Sequence, residues 1–236
     1  MTSAAADQAT AHTPVRTAEP VPVHIDFVSD ISCPWCAIGL SALEQAIERV
    51  QGEVAVTLQF QPFELNPQMP AGGQDISEHL TQKYGSTAQQ QTDIRETIRL
   101  RGEELGFTFR TEGRGRIYNT FDAHRLLHWV AAEVGATEQH ALKKALLEAY
   151  FTHGQAPESH AVLLSVVAAQ GLNVERAKAI LASGEFTAEV RHEQQRYTGA
   201  GISSVPAVIL NNKHLISGGQ PVEVFEKALR QIAASA

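Results

Sequence analysis

Two cysteines three positions apart are the side chains of this chain best suited to covalent chemistry. Cys33 and Cys36 are the only cysteines among the 236 residues, and Pro34 and Trp35 separate them. A disulfide between them would close almost no loop, so it would add little to the stability of the fold. A pair at this spacing suits thiol–disulfide exchange, in which one thiolate attacks and the other resolves the mixed disulfide. Trp35 would place a flat apolar face beside the reacting sulfur.

The elements around this motif give the two thiols different roles. Apolar alternation predicts a strand over residues 21–28, and near-helical apolar spacing predicts a helix over about 34–51 that Pro34 begins. Cys33 would therefore lie just before the helix, where free backbone N–H groups and the helix dipole favour a thiolate. Cys36 would lie one turn into the helix, on the same face but less exposed. This position predicts that Cys33 attacks and that Cys36 resolves.

The remaining pattern is helical in the middle of the chain and returns to strands at the end. A second strand is predicted over residues 54–63, and helical segments that mostly end in glycine fill about 75–200. Strands follow over 205–210 and 213–217, joined by an Asn-Asn turn, and an amphipathic helix covers 222–234. The order is βαβ, a helical insertion, a helix and then ββα, which predicts an α/β protein.

Composition and charge argue against several classes of protein. Hydrophobic residues make up 43% of the chain, and the net charge of −7 gives no attraction to nucleic acid or to anionic membranes. Residues 1–20 contain neither the basic start nor the apolar run of a secretory signal, so we predict a disordered tail and a cytoplasmic protein. No third cysteine or suitably spaced histidine pair completes a zinc site, so no metal is expected.

One short basic cluster stands out against the acidic composition. Arg110, Arg114 and Arg116 lie close together in a stretch that also contains Glu112, glycines and threonines. This composition is typical of a solvated loop. A local contact with an anion is the alternative.

Four sequence features together carry a family resemblance. They are the CPWC motif with Asp30 upstream, the segment Pro62–Asn66 after the second strand, Asn119 with Asp122–Arg125, and Gly201–Pro206 before the ββα ending. This combination resembles the thioredoxin superfamily, in particular its DsbA-type branch and, within that branch, the cytoplasmic FrnE-like oxidoreductases. The resemblance covers nearly all of residues 22–235. The combination is specific, whereas a CxxC motif alone would be a moderate signal.

The fold that this resemblance implies agrees with the predicted order of elements. It is a thioredoxin fold (βαβ…ββα) with a large all-helical insertion, as in DsbA. The thioredoxin-fold domain would comprise residues 21–70 and 185–236. The insertion would comprise residues 71–184, and the tail residues 1–20.

The resemblance also implies a substrate groove beside the CxxC motif. Val205–Pro206 would be a cis peptide bond that faces the thiols and blocks unwanted metal binding, and Val205 would offer backbone hydrogen bonds to an extended peptide. From the residues alone, a trans bond at the start of a strand is the ordinary interpretation. Asn119 and His124 would lie in the insertion near this groove. For both, a place on the helix surface or a capped polar role is an equal alternative.

Three carboxylates are candidates for supporting roles. Asp30 and Glu64 could supply or take up protons during exchange, or they could serve as a turn residue and a salt-bridge partner, respectively. The turn role is favoured for Asp30, and Glu64 is left open. Asp26 lies on the first predicted strand, where alternation would allow its carboxylate to be buried near Cys36.

These features predict a thiol–disulfide oxidoreductase that acts on protein or small-molecule thiols and holds no resident cofactor. Glutathione or a thioredoxin system is the candidate redox partner. Relatives of the same fold offer an alternative, namely the glutathione-dependent kappa-type transferases and 2-hydroxychromene-2-carboxylate isomerases, which usually carry serine at the position of Cys33 and lack the second cysteine. A peptide-binding, chaperone-like module with incidental thiols is a third possibility. The direction of exchange depends on the reduction potential, which the sequence does not give.

Overall fold

The computed structural model of this protein describes residues 19–235. The tail predicted over residues 1–20 lies outside this range except for its last two residues. Within the range, no helix combines the length and the apolar character needed to cross a membrane.

The described range contains an opening βαβ unit, a long helical segment and a closing ββα unit. In chain order the elements are β1 (Val21–Ser29), α1 (Pro34–Arg49), β2 (Val54–Pro62), β3 (Gln74–Asp75), α2 (Ile76–Tyr84), α3 (Ala88–Glu104), β4 (Arg116–Ile117), α4 (Phe121–Glu133), α5 (Ala136–Phe151), α6 (His160–Ala169), α7 (Val174–Ala182), α8 (Thr187–Gly199), β5 (Ala207–Leu210), β6 (His214–Ser217) and α9 (Val222–Ala234).

The strands of the opening and closing units form one four-stranded sheet. Its order is β2-β1-β5-β6, with β1 parallel to β2 and antiparallel to β5. Val23, Ile25 and Phe27 of the central strand β1 are buried, and the burial continues into Val28. Such continuous burial is typical of a strand that is covered on both faces. α1 and α9 pack against each other, and the loop between β1 and α1 is buried throughout.

The helical insertion has a core of its own that reaches this loop. Side chains of α4–α7 pack together, and Ile31 of the loop is fully buried among them. α5 contributes to both cores, because Leu142 lies in the core of the insertion whereas Leu147 and Tyr150 lie in the core of the sheet. The insertion is therefore packed continuously onto the sheet, and it holds the loop before α1 from one side.

Most predicted elements lie where the sequence placed them, and α9 agrees residue for residue. β5 begins at Ala207, two residues later than predicted, because Pro206 has no backbone N–H to donate to a neighbouring strand. The expectation of an all-helical insertion over residues 71–184 is wrong. The short strands β3 and β4 form an antiparallel pair in which Gln74 lies opposite Ile117. Two residues per strand are too few for alternation to show in the sequence.

Gln139 of α5 joins the insertion to the edge of the sheet. β2 is an edge strand, so the backbone groups on its outer side need partners from elsewhere. The side-chain oxygen of Gln139 accepts from the N–H of Phe60 over 3.0 Å. Its Nε2 donates to the carbonyls of Phe60 at 3.0 Å and Leu127 at 3.3 Å. The buried side-chain amide of Gln139 thus provides the hydrogen-bond partners that a neighbouring strand would otherwise offer to the outer side of β2.

Gln139→Met removes these three hydrogen bonds while preserving the approximate length of the side chain. It leaves the N–H and carbonyl of Phe60 buried without partners, so we expect the free energy of unfolding in urea to fall by about 2–4 kcal/mol. Gln89→Met, on the exposed face of α3, is the control and should stay within about 0.5 kcal/mol of the wild type. Unchanged stability of the Gln139 variant would mean that the edge of β2 does not depend on this side chain.

Candidate active site

The Cys-Pro-Trp-Cys motif begins α1, as predicted. Pro34 is the first helical residue, and Cys33 is the N-cap with an extended backbone (φ −94°, ψ 112°). The N–H of Cys36 donates to the carbonyl of Cys33 over 3.1 Å. Both cysteines are free thiols; Cys33 retains 4% exposure and Cys36 none. At the start of α1, Cys33 therefore keeps slight contact with solvent, whereas Cys36 is completely buried.

The loop before β5 closes over Cys33. The Val205–Pro206 peptide bond is cis, which agrees with what the family resemblance implies rather than with the ordinary trans interpretation. The thiol of Cys33 donates to the carbonyl of Val205 over 3.5 Å. Gly39 of α1 allows the proline to approach closely, because a Cβ at Gly39 would lie only 3.0 Å from Cγ of Pro206.

The surroundings shift the pKa values of the two thiols in opposite directions. A hydrogen bond from the Cys36 thiol is the largest influence on Cys33, and it lowers the pKa of Cys33 although burial acts against it. The Arg114 guanidinium lowers this pKa further, whereas the Asp30 carboxylate raises it. Burial raises the pKa of Cys36 well above its ordinary value, and the adjoining Cys33 adds to the rise. Cys33 is therefore the easier of the two to ionise.

Asp30 is the centre of a buried hydrogen-bond network. Its carboxylate accepts from the N–H and the hydroxyl of Ser32 at 3.1 and 2.8 Å, from the N–H of Leu65 at 2.7 Å and from the hydroxyl of Thr120 at 2.8 Å. Burial opposes its ionisation, but these bonds and the nearby His124 imidazole outweigh it and hold the pKa of Asp30 well below its usual range. The interpretation as a simple turn residue is too limited, since Asp30 ties the loop before Cys33 to the loop after β2 and to the start of α4.

Glu64 and Asp26 have structural partners. Glu64 is buried at the edge of the site, where Arg191 of α8 forms an ion pair with it and Gln194 donates to it over 3.0 Å. The structure thus gives Glu64 the salt-bridge contact. The carboxylate of Asp26 is buried, and it accepts from Gln61 over 2.6 Å and lies 3.3 Å from the ring of His24.

Asn119 and His124 make contacts outside the cavity that Cys33 faces. The side-chain oxygen of Asn119 accepts from the N–H of Phe121 over 2.9 Å, which is a local turn contact at the start of α4. His124 is buried, with its Nε2 atom 3.6 Å from the carboxylate of Asp30. Neither side chain lines the cavity in front of Cys33.

That cavity has a volume of about 970 Å³. Cys33, Pro34, Trp35 and Val205 form its wall on the side of the motif, whereas Cys36 does not reach it. The rest of the lining includes five cationic side chains and several apolar ones, namely Lys83, Arg95, Arg99, Arg110 and Arg114 together with Tyr84, Ile94, Ile98, Phe109 and Phe151. Glu64 is the single carboxylate in the described lining, and Arg191 neutralises it. Arg99 and Arg110 form ion pairs with Glu96, Glu103 and Glu112 beyond the lining. Among the described residues, the cations of the lining without a carboxylate partner are Lys83, Arg95 and Arg114. The cavity can therefore receive a ligand that carries negative charge.

Comparison with known proteins assigns this fold to a family. Residues 24–230 match the DSBA-like thioredoxin domain. The chain belongs to the DSBA-like thioredoxin family. The expected α/β fold, a thioredoxin domain with a large helical insertion, is thereby confirmed. The family includes oxidoreductases.

Individual relatives of this DSBA-like protein resemble it over most of its length. A probable DsbA oxidoreductase from Streptomyces coelicolor is 30% identical, with a TM-score of 0.80 and 90% of each chain covered. The uncharacterized protein YwbO from Bacillus subtilis (strain 168) is 27% identical over 208 residues, which cover 88% of this chain and 96% of YwbO. The cytosolic disulfide reductase DsbM from Pseudomonas aeruginosa, solved with GSH, shares the fold at 16% identity and a TM-score of 0.62, with 89% of this chain and 99% of that chain covered.

Two cationic residues of the DSBA-like site have places that differ from the sequence-based interpretation or are missed by it: Arg114 is interpreted there as part of a solvated loop, and Lys143 is not considered. Arg114 donates to the carbonyl of Ser32 and lies over the ring of Phe151, 5.6 Å from its centroid, so the basic cluster is partly a wall of the site rather than only a solvated loop. Lys143 of α5 is fully buried, and its charge lowers the pKa of Cys36. Lys143 precedes Leu146 by three residues, so the two side chains share one helix face. This spacing is the sequence signal that could have indicated a buried lysine.

Asp30→Asn tests the buried network of the DSBA-like site. An amide N–H would face the N–H of Leu65, so we expect the free energy of unfolding at pH 7 to fall by about 2–4 kcal/mol. The pKa of Asp30 is lower in the folded state than its unfolded value of about 3.9. Its stabilisation is therefore complete above that value and is lost progressively as the pH falls below it. In urea denaturation at pH 3, the gap between wild type and variant should narrow by about 1 kcal/mol.

Asp93→Asn, on the exposed surface of α3, is the matched control and should leave the stability within about 0.5 kcal/mol at both pH values. A gap for Asp30→Asn that stays constant between pH 7 and pH 3 would contradict the assignment of a carboxylate that is ionised in the folded state.

Proposed function

We propose that this protein is a thiol–disulfide oxidoreductase that acts through Cys33 and Cys36 on disulfides or dithiols of proteins, peptides or small molecules. The observation that carries the proposal is the opposite shift of the pKa values of two adjacent thiols. Of the two, Cys33 alone lines the cavity, so a substrate meets the more acidic thiol first. Membership of a family that contains oxidoreductases supports the same activity.

In the reducing direction, the thiolate of Cys33 attacks one sulfur of a substrate disulfide. A bond forms between Cys33 and that sulfur, the substrate S–S bond breaks, and the second substrate sulfur leaves as a thiolate that takes up a proton. Cys36 then loses its proton and attacks Cys33, which forms the Cys33–Cys36 disulfide and releases the first substrate sulfur as a thiolate. The two cysteines are oxidised and the substrate disulfide is reduced; the oxidising direction is the reverse.

The loop before β5 supports the binding of the substrate. Val205 lies against Cys33 and lines the cavity, so its backbone is placed beside any disulfide that the thiolate can reach. We propose that an extended segment of substrate pairs with this backbone. The apolar face of Trp35 borders the same space and would cover one side of the bound sulfur.

Glutathione is the small-molecule partner that we propose. Its carboxylates suit a cavity whose described lining contains one neutralised carboxylate and three cations, Lys83, Arg95 and Arg114, that have no carboxylate partner among the described residues. The fold is shared with a cytosolic disulfide reductase that was solved with GSH. A cytoplasmic location is part of this proposal, because glutathione or a thioredoxin system would restore the dithiol there.

A glutathione-dependent isomerase or transferase is the second candidate, and the cationic cavity supports it as well. In such an enzyme the bound glutathione would supply the thiol, so Cys36 would have no part in the reaction. Turnover of 2-hydroxychromene-2-carboxylate with added glutathione, retained in Cys36→Ser, would favour this candidate over exchange.

The first experiment is the reduction of insulin by the purified protein with dithiothreitol. We expect Cys33→Ser to abolish turnover, because no thiolate then faces the cavity. Cys36→Ser should still attack but should accumulate the mixed disulfide, which mass spectrometry detects. Full turnover in Cys33→Ser would refute the proposal. If suppression of aggregation persists in a Cys33→Ser/Cys36→Ser variant, the protein has a chaperone-like role besides exchange.

The second experiment tests the charge preference of the cavity. Arg95 of α3 lines the cavity, so Arg95→Met should slow the reaction of Cys33 with anionic glutathione disulfide relative to cationic cystamine by about two- to fivefold at low salt. Arg101→Met lies on the same helix but outside the cavity, and its ratio of rates should match the wild type. Equal ratios in all three proteins would mean that Arg95 does not contribute to the choice of disulfide.

A further inference from the structure

A fully buried lysine lies on α5, a helix of the insertion that packs against α1, at whose start the two thiols lie. Lys143 of α5 has no exposed surface, and its ammonium has no hydrogen-bond partner among the described residues. Burial without a partner is expensive for an ammonium, because the protein replaces water without supplying acceptors. Burial accordingly lowers the pKa of Lys143 to about 8, so the side chain is still mostly charged at neutral pH. A buried lysine without a partner adds little to the stability of the fold. This indicates that Lys143 has another role.

No carboxylate pairs with this ammonium in the described structure. The titratable groups that face it are Cys33, Cys36, Asp30, His124 and His128. Asp30 is the single carboxylate in this set, and its oxygens already accept from Ser32, Leu65 and Thr120. The space beside Lys143 is a cavity of about 10 Å³, bordered by Phe60 and the two histidines. The positive charge is therefore held near the thiols without being neutralised by an acid.

The charges of Lys143 and Cys36 influence each other. The ammonium lowers the pKa of Cys36, and Cys36 is the neighbour that contributes most to raising the pKa of Lys143. Burial and Cys33 oppose the ionisation of Cys36, so a nearby positive charge is what can offset them. This need arises when Cys36 must become a thiolate in order to attack Cys33 and resolve the mixed disulfide.

We propose that Lys143 is a positioning residue whose buried ammonium stabilises the Cys36 thiolate during resolution of the mixed disulfide. The inference rests on the proposed exchange activity. In the step, the Cys36 thiolate attacks the sulfur of Cys33, the Cys33–Cys36 bond forms, and the bond from Cys33 to the substrate sulfur breaks. The electron pair leaves with the substrate thiolate, and the proton that this thiolate takes up balances the one that Cys36 lost. Lys143 stays charged throughout.

The same charge favours the reduced centre over the oxidised one. A disulfide carries no negative charge, so the ammonium loses its favourable interaction when the dithiol is oxidised. Lys143 should therefore make the centre more oxidising, and removing the charge should shift the equilibrium with glutathione toward the Cys33–Cys36 disulfide.

The test compares Lys143→Met with Lys144→Met. Lys144 is the next residue on α5, is about half exposed and pairs with Glu44, so its variant controls for loss of a lysine from this helix. The resolution rate is measured by stopping the reaction with a small disulfide in acid and following the mixed disulfide by mass spectrometry. We expect Lys143→Met to resolve at least tenfold more slowly and Lys144→Met to match the wild type. Equal resolution rates in all three proteins would overturn the inference.

Two further readouts separate this role from a purely structural one. In a Cys33→Ser background, the alkylation rate of Cys36 against pH should show a higher pKa in Lys143→Met, and Lys143→Arg should restore part of the shift. Urea denaturation should show Lys143→Met to be at least as stable as the wild type, because an unpaired buried charge is gone. A large loss of stability with an unchanged Cys36 pKa would assign Lys143 to the fold alone.

The outcome for Lys143 can be distinguished from the outcome for the exchange activity itself. A wild-type protein that forms no mixed disulfide would refute the proposed function, whatever the lysine variants do. A wild type that turns over normally while Lys143→Met equals it in resolution rate and in Cys36 pKa would refute only the role of Lys143.

Discussion

A thiolate at the start of α1 is a negative charge in a nearly dry place, and the surrounding structure must compensate for it. Water reaches little of Cys33, so hydrogen bonds and nearby charges have to replace solvation. The Cys36 thiol supplies the main hydrogen bond, and Arg114 supplies positive charge on the cavity side. Lys143 of α5 adds positive charge. The ionised Asp30 acts against the thiolate, so the site holds two negative groups between two cations.

The helical insertion provides both cations of this compensation and part of the network around Asp30. Arg114, Thr120 and Lys143 all belong to it, although the thiols belong to the opening βαβ unit. The insertion also buries Ile31 of the loop before Cys33, and Gln139 fastens α5 to the edge of the sheet. Because α5 packs into both cores, the distance between its buried lysine and the first turn of α1 is fixed by the packing of the whole protein.

The parts of the structure that depend on neighbours in sequence could be predicted, and the parts that depend on distant contacts could not. Alternation and helical spacing were sufficient for β1, α1 and α9 because each pattern is contained within one element. The lower exposure of Cys36 and the lowered pKa of Cys33 agree with the prediction made from their position at a helix start. Asp30 looks like a turn residue until Leu65 and Thr120 are seen to donate to it. No local pattern brings together residues that are 35 and 90 positions apart.

Lys143 is a second case in which distant contacts decide the place of a residue, and it shows that a functional residue can be missed for this reason. Beside Lys144 in the sequence, it resembles half of a solvated face. Its position three residues before Leu146 is the one local signal that it is buried, whereas the next lysine is about half exposed. Filling that space with an apolar side chain would avoid the cost of an unpaired charge, so stability gives no reason for a lysine there. Chemistry does give a reason, because a buried thiol that must ionise needs a positive charge that water cannot provide. Enzymes commonly give up stability at a reactive site, and the proposed role of Lys143 in lowering the pKa of Cys36 is an instance of this.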